Sequence, residues 1–153
     1  MNSELPMQTD PEMLSLLAQP VLGEAAALLG LRVFLAEDEP ILLWALEEIM
    51  SDLGCTVAGM AARVTDATAF VASHPVDVAV LDGTLSDGPI DPAVAVLAAR
   101  GTPVIIASGV ASMECSARFG NVIYLQKPYQ DADLRQALLL AMAQGQSERK
   151  LVV

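Results

Sequence analysis

The chain has 153 residues, of which 54% are apolar and 18% charged, and this composition indicates one globular domain and excludes a disordered chain. Its 8 basic and 19 acidic residues give a net charge of -11, which repels nucleic-acid backbones and anionic lipid headgroups. No apolar run reaches the ~20 residues that cross a bilayer, no basic residue precedes Arg32 to start a secretory signal, and two cysteines are too few for a disulfide framework. We therefore expect a cytoplasmic protein that binds neither nucleic acid nor membranes.

Residues 1–30 form a predicted N-terminal helical extension, which contains four acidic residues and no basic one. Asp10-Pro11-Glu12 is a good helix start, because a capping side chain is followed by a proline at the first helical position. Pro20 breaks or kinks any helix here, so the apolar faces of two short pieces need something to pack on. Two interpretations stay open: the extension covers its own domain, or it mediates dimerisation or the docking of a partner.

From residue 31 onward, short apolar runs alternate with helical patterns, which predicts a parallel sheet with crossover helices. The predicted strands are residues 31–36, 55–60, 77–81, 103–107 and 122–125. The predicted helices are residues 40–53, 64–73, 92–100 with Asp91 as the cap, 111–119 and 131–143. Five such units make one doubly wound domain over residues 31–145 and leave residues 146–153 as a C-terminal tail.

Polar side chains follow the predicted strands at their carboxyl ends, where open parallel sheets bind ligands. Glu37 and Asp38 follow the first strand, Asp82 the third, Ser108 the fourth and Lys127 the fifth. Three carboxylates against one ammonium leave an excess of negative charge that a divalent cation would neutralise. Mg²⁺ fits this set best, because it takes carboxylate and carbonyl oxygens and shares its shell with phosphoryl groups. An aspartate beside Mg²⁺ and opposite a lysine is equipped to attack phosphorus and form an acyl phosphate.

Four segments carry a resemblance to a known family: L-A-E-D-E-P (35–40), V-A-V-L-D-G-T-L-S-D-G (78–88), P-V-I-I-A-S-G (103–109) and Y-L-Q-K-P-Y (124–129). Together they resemble the receiver domains of two-component response regulators, over residues 31 to about 145. Gly109 and the Q-K-P sequence make the chain similar to stand-alone alphaproteobacterial receivers. The resemblance implies a flavodoxin-like α/β fold, with a doubly wound five-stranded parallel sheet of order 2-1-3-4-5 behind the N-terminal helical extension.

The resemblance also implies a role for each residue of the acidic cluster. Asp82 would accept a phosphoryl group from a sensor histidine kinase or a histidine phosphotransfer protein. Mg²⁺ would be held by Asp38 directly, by Glu37 through water, by Asp82 and by the backbone carbonyl of Thr84. The chain would then be a phosphoprotein of two-component signalling that acts on itself and is not otherwise an enzyme.

The switch residues are implied in the same way. Lys127 would pair with the phosphoryl group, Ser108 would move toward it, and Tyr124 occupies the position of the family's aromatic switch residue. The chain departs from the common pattern at Ser86, where many receivers have proline, and at Ser108, where threonine is more frequent. The stretch between Ser108 and Tyr124 is also shorter than usual, which puts the usual output face in question.

Three functions compete at this stage. A phosphorylation-controlled switch is favoured. Because only ten residues follow the last predicted helix, its signal is expected to pass to a downstream protein target by contact or phosphoryl relay. An aspartyl-phosphate hydrolase would want a second aspartate two residues after Asp82, where Thr84 stands. A phosphate-independent scaffold would have no reason to keep the four charged residues. The partners' identities, the phosphoryl lifetime and the formation of a homodimer stay open.

Overall fold

The computed structural model describes residues 23–109 and 122–151, with side chains described as far as residue 144. The elements in chain order are α1 (residues 23–28), β1 (Arg32–Ala36), α2 (Pro40–Asp52), β2 (Thr56–Ala61), α3 (Val64–Ser73), β3 (Val78–Asp82), β4 (Thr84–Leu85), β5 (Gly88–Pro89), α4 (Asp91–Ala99), β6 (Val104–Ser108), β7 (Val122–Gln126) and α5 (Asp131–Leu151). The helix start at Asp10 and the helix predicted over residues 111–119 lie outside the described residues.

Five parallel strands form one sheet in the order β2-β1-β3-β6-β7. With the short β4–β5 hairpin left out, this is the predicted order 2-1-3-4-5, so the flavodoxin-like fold is confirmed. Every strand predicted for this sheet lies within one residue of its observed bounds. The hairpin was not predicted, because its strands have two residues each and carry no periodic pattern.

Two helix predictions need correction. Asp91 was expected to cap α4, but Ile90 holds the cap position and no side chain caps the helix. Ile90 is buried and its backbone N–H donates to the carbonyl of Gly83 at 3.1 Å, which fixes Ile90 at the helix start and places Asp91 in the first turn. α5 was expected to end near residue 143 but continues to Leu151, because the segment beyond contains helix-forming residues and no proline.

The sheet separates two buried cores, since successive side chains of a strand point to opposite faces. The α3–α4 core lies on one face and includes Phe34, Ala67, Val71, Leu81, Leu85, Ile90, Val94, Leu97 and Ile106. The α2–α5 core lies on the other face and includes Leu28, Val33, Leu35, Leu46, Met50, Val80, Ile105, Leu134 and Leu138. Both faces of the sheet are therefore covered by helices, as the continuous apolar strands predicted.

α1 packs on this domain although it belongs to the predicted extension. Leu28 is 1% exposed within the α2–α5 core, and Glu24 pairs with Arg135 of α5 at 3.0 Å. The backbone N–H of Gly30 donates to the carbonyl of Gly54 at 2.8 Å, which joins the end of α1 to the turn after α2. No helix among the described residues is long and apolar enough to cross a membrane.

Candidate functional site

The acidic cluster forms at the carboxyl edge of the sheet, where β1 and β3 end side by side. Ala36 pairs with Leu81, so Glu37 and Asp82 leave the two strands at the same level. One carboxylate oxygen each from Glu37, Asp38 and Asp82 lie within 4.8 Å of one another. The predicted cluster is therefore present in the fold, and its three donors are the hard oxygen ligands that Mg²⁺ prefers.

Lys127, the residue that follows β7, contacts the acidic cluster. Its Nζ donates to Oε2 of Glu37 at 3.1 Å and to Oδ2 of Asp82 at 3.2 Å. Its backbone N–H donates to the carbonyl of Ser108 at 2.9 Å, which ties the residue after β7 to the end of β6. The peptide bond from Lys127 to Pro128 is cis. One ammonium thus bridges two carboxylates.

The charges of Glu37 and Lys127 depend on each other. Glu37 is 3% exposed, and its burial together with the nearby charge of Asp82 raises its pKa, although the hydrogen bond from Lys127 works against this shift. For Lys127, burial works against the charged form, but the hydrogen bonds and charges of Glu37 and Asp82 outweigh it and raise its pKa. The metal-free site therefore favours the protonated form of both groups, which is the charged form of Lys127 and the neutral form of Glu37.

Ser108 and Tyr124 lie on the neighbouring strands β6 and β7. A Cβ added to Gly83, the residue after Asp82, would lie 3.7 Å from the Oγ of Ser108, so that hydroxyl is close to the backbone that follows Asp82. Tyr124 pairs with Ile106 across β6 and β7, packs against the α3–α4 core, and its hydroxyl oxygen is shielded from solvent. The structure therefore places Ser108 beside Gly83 and packs Tyr124 against the α3–α4 core.

Thr84 lies in the hairpin that follows Asp82. Its backbone N–H lies 3.5 Å from Oδ1 of Asp82, and it pairs with Pro89 across the hairpin. This segment therefore runs along the acidic cluster, where a backbone carbonyl ligand was expected.

The sequence analysis missed Asp87. Its carboxylate accepts the N–H groups of Val64 at 2.6 Å and Thr65 at 3.2 Å, and the Thr65 hydroxyl at 3.0 Å. The hydrogen bond from Val64 is the main reason that the pKa of Asp87 is lowered. The only signal in the sequence was Arg63, which precedes the predicted helix and cannot accept these hydrogen bonds, so that water or a distant side chain had to accept them.

A groove of about 470 Å³ opens beside the acidic cluster, between α2 and the start of α5. Its charged lining residues are Glu37, Lys127 and Asp131. The other lining residues are Leu42, Ala45, Leu46, Ile49, Pro128 and Tyr129. The groove therefore has a mostly apolar lining that includes two residues of the site.

No family model matches the chain. The transcriptional regulatory protein PdtaR of Mycobacterium tuberculosis is 28% identical over 125 residues, which cover 78% of this chain and 60% of PdtaR. The receiver domain of the PhyR response regulator of Erythrobacter litoralis is 25% identical with a TM-score of 0.63, over 76% of this chain and 93% of that domain. The domain of this chain has the fold of a response-regulator receiver domain.

A further receiver domain, from the sensor histidine kinase PA1611 of Pseudomonas aeruginosa, was solved with a magnesium ion coordinated in its active-site cleft. It is 23% identical with a TM-score of 0.66, over 74% of this chain and 98% of that one. The domain described above has an acidic cluster at its strand ends, and the oxygen donors of this cluster suit Mg²⁺. The chain spans about 60% of the length of its curated relative PdtaR.

Proposed function

We propose that this chain is a signalling switch controlled by phosphorylation of Asp82. The observation that carries the proposal is the bridge of Lys127 between Glu37 and Asp82, beside three carboxylates whose oxygens lie within 4.8 Å of one another. A phosphoryl group on Asp82 would lie next to the ammonium of Lys127 and next to a divalent cation bound by the three carboxylates. Sensor histidine kinases and histidine phosphotransfer proteins are the proposed donors.

The chain's own residues account for the transfer. An oxygen of Asp82 forms a bond to phosphorus while the bond between phosphorus and the donor's histidine nitrogen breaks, and that nitrogen keeps the electron pair. Lys127 exchanges its contact with Asp82 for one with a phosphoryl oxygen, since its ammonium lies 3.2 Å from the attacking carboxylate. Mg²⁺ held by Glu37, Asp38, Asp82 and the carbonyl of Thr84 would neutralise charge on the transferring group.

The switch step follows from the position of Ser108. Its hydroxyl lies beside Gly83, so a short movement brings it to a phosphoryl oxygen on Asp82. Because Lys127 donates its backbone N–H to the carbonyl of Ser108, the ends of β6 and β7 would respond together. Tyr124, packed in the α3–α4 core next to β6, is proposed to change its packing with them. A downstream protein would read the altered surface.

The groove between α2 and α5 suits the upstream donor. Its lining includes Glu37 and Lys127, and Lys127 contacts Asp82, so a partner seated in the groove would lie next to the proposed phosphorylation site. Ile41 is 78% and Trp44 61% exposed on the adjoining part of α2, which is apolar surface of the kind that protein partners cover. The donor is therefore proposed to dock on α2 and the start of α5.

The test is the intact mass of the protein after incubation with acetyl phosphate, with and without Mg²⁺. The variants are Asp82→Ala and, as a matched control, Asp52→Ala, which removes an exposed carboxylate at the end of α2. A single phosphoryl adduct that requires Mg²⁺ and disappears in Asp82→Ala alone supports the proposal. Release of inorganic phosphate over many turnovers would favour the hydrolase. If neither acetyl phosphate nor a competent kinase produces an adduct, the phosphate-independent scaffold is the remaining function.

A further inference from the structure

Asp87 lies at the tip of the β4–β5 hairpin, five residues after Asp82, and caps a helix to which it does not belong. α3 begins after Arg63, which supplies no side-chain cap. The Asp87 carboxylate takes that place from more than 20 residues away and accepts three hydrogen bonds from Val64 and Thr65. Its side chain is 16% exposed, and the Arg63 Nε lies 3.9 Å from it. These are charge-assisted hydrogen bonds with a defined direction.

The same hairpin carries Thr84 past the acidic cluster. Thr84 pairs with Pro89 and Leu85 with Gly88, whose φ of 133° is a conformation that favours glycine. The base of the hairpin is buried through Leu85 and Ile90, at 3% and 1% exposed. The Ile90 N–H also donates to the carbonyl of Gly83 at 3.1 Å, which anchors the base, and the hydrogen bonds of Asp87 anchor the tip against α3.

We propose that Asp87 is a positioning residue, which ties the hairpin to α3 and thereby holds the Thr84 backbone in place beside Asp82. Its consequence for Mg²⁺ rests on the proposed function, because the Thr84 carbonyl matters only if the acidic cluster binds a cation. A ligating carbonyl must be held within a few tenths of an ångström, and a short loop achieves this when both its base and its tip are anchored. Asp87 would therefore act on the site without touching the metal or the phosphoryl group.

Two variants and a matched control test this role. Asp87→Ala removes all three hydrogen bonds, while Asp87→Asn keeps one acceptor oxygen. Ala69→Gly, at an exposed position in the middle of α3, destabilises the same helix and leaves the hairpin untouched. The first readout is amide hydrogen exchange in the metal-free protein, at Thr84 and Ile90 of the hairpin. The second is the Kd for Mg²⁺ from a titration.

Asp87→Ala is expected to speed exchange at Thr84 and Ile90 by at least about tenfold and to raise the Kd for Mg²⁺ several-fold. Asp87→Asn should lie between Asp87→Ala and the wild type. Ala69→Gly should leave both readouts unchanged, even where it lowers the Tm as much as Asp87→Ala does.

Equal exchange in Asp87→Ala and Ala69→Gly would overturn the proposal, because Asp87 would then be a helix cap alone. Faster exchange with an unchanged Kd would also overturn it, since the hairpin would not govern the cation site. A wild-type chain that takes up no Mg²⁺ contradicts the proposed function instead, and in that case the exchange comparison by itself decides the positioning role.

Discussion

The ammonium of Lys127 lies 3.1 Å from Oε2 of Glu37, a carboxylate 90 residues earlier in the chain that is 3% exposed. The bond links the residue after β1 to the residue after β7, at opposite sides of the central strand β3. Because Lys127 also reaches Asp82, its charge is the main compensation for the acidic cluster among the residues that the structure describes. The stability of the folded protein without a metal ion therefore depends on the charge of Lys127.

Replacing Lys127 should therefore separate stability, cation binding and chemistry. Lys127→Met leaves Glu37 and Asp82 without their cation, and we expect the free energy of unfolding without Mg²⁺ to fall by about 2 kcal/mol. The Kd for Mg²⁺ should also fall, because an ammonium no longer competes for the same carboxylates, while phosphorylation by acetyl phosphate slows. Urea unfolding, a Mg²⁺ titration and intact mass measure the three effects.

Arg135→Met is the control for Lys127→Met, since it breaks the more exposed pair with Glu24 and should cost about 0–1 kcal/mol. Weaker Mg²⁺ binding by Lys127→Met would contradict the view that this lysine and the cation share one set of ligands.

The pH dependence of stability should report on Glu37. Burial raises the pKa of Glu37, so folding favours its protonated form, and the resulting stability is present below its ordinary pKa of 4.5 and lost as pH rises through the raised value. Glutamine does not ionise, so Glu37→Gln removes this loss of stability at higher pH. We expect the metal-free variant to be more stable than the wild type at neutral pH and the difference to shrink in acid.

Urea unfolding of both proteins between about pH 4 and pH 8 tests the Glu37 prediction. The variant should bind Mg²⁺ more weakly, because a carboxylate is lost from the cluster. A variant that is less stable than the wild type at neutral pH and equal to it in acid would show that the hydrogen bond with Lys127 outweighs the cost of burying Glu37.

The start of the domain can be tested at two neighbouring leucines. Leu28 is 1% exposed in the α2–α5 core, while Leu29 is 75% exposed. Leu28→Ala should lower the free energy of unfolding by about 2–4 kcal/mol, because it removes buried apolar surface and leaves a cavity. Leu29→Ala should change it by less than about 0.5 kcal/mol. Equal effects in denaturant unfolding would mean that α1 does not pack as described.

Gly59 leaves room for an aromatic stack in the α3–α4 core. A Cβ added at this position would overlap the ring of Phe70, which stacks on Phe34 at 5.0 Å and on His74 at 4.3 Å and so cannot simply move aside. We expect Gly59→Ala to destabilise the protein by about 1–3 kcal/mol. Thermal unfolding measures the loss.

The double variant Gly59→Ala/Phe70→Leu tests the steric cause of the Gly59 prediction. Leucine is smaller than phenylalanine at the contact, so the cost of adding the methyl group should be lower in the Phe70→Leu background than in the wild type. Equal costs in the two backgrounds would place the effect in the backbone of β2 and not in the contact with Phe70.

The acidic cluster shows how far the amino-acid pattern reaches. Continuous apolar runs mark the strands, and because parallel strands end at one edge, Asp38, Asp82 and Lys127 had to gather there. The bounds of α3 followed from helix periodicity in the same way. Such signals are local, since they depend on residues within about one helical turn or along one strand.

Tertiary structure alone decided the contacts that cross between elements. The depth at which Glu37 is buried, and hence the direction of its pKa shift, depends on how α2 and the residues after β7 close over it. Asp87 became the cap of α3 because the hairpin brings its carboxylate to a helix that begins 23 residues earlier. Leu28 joined the core because the packing of the whole chain brings it together with buried residues of α2 and α5. Local sequence preferences act over a few residues, whereas these contacts arise only when the whole chain has packed.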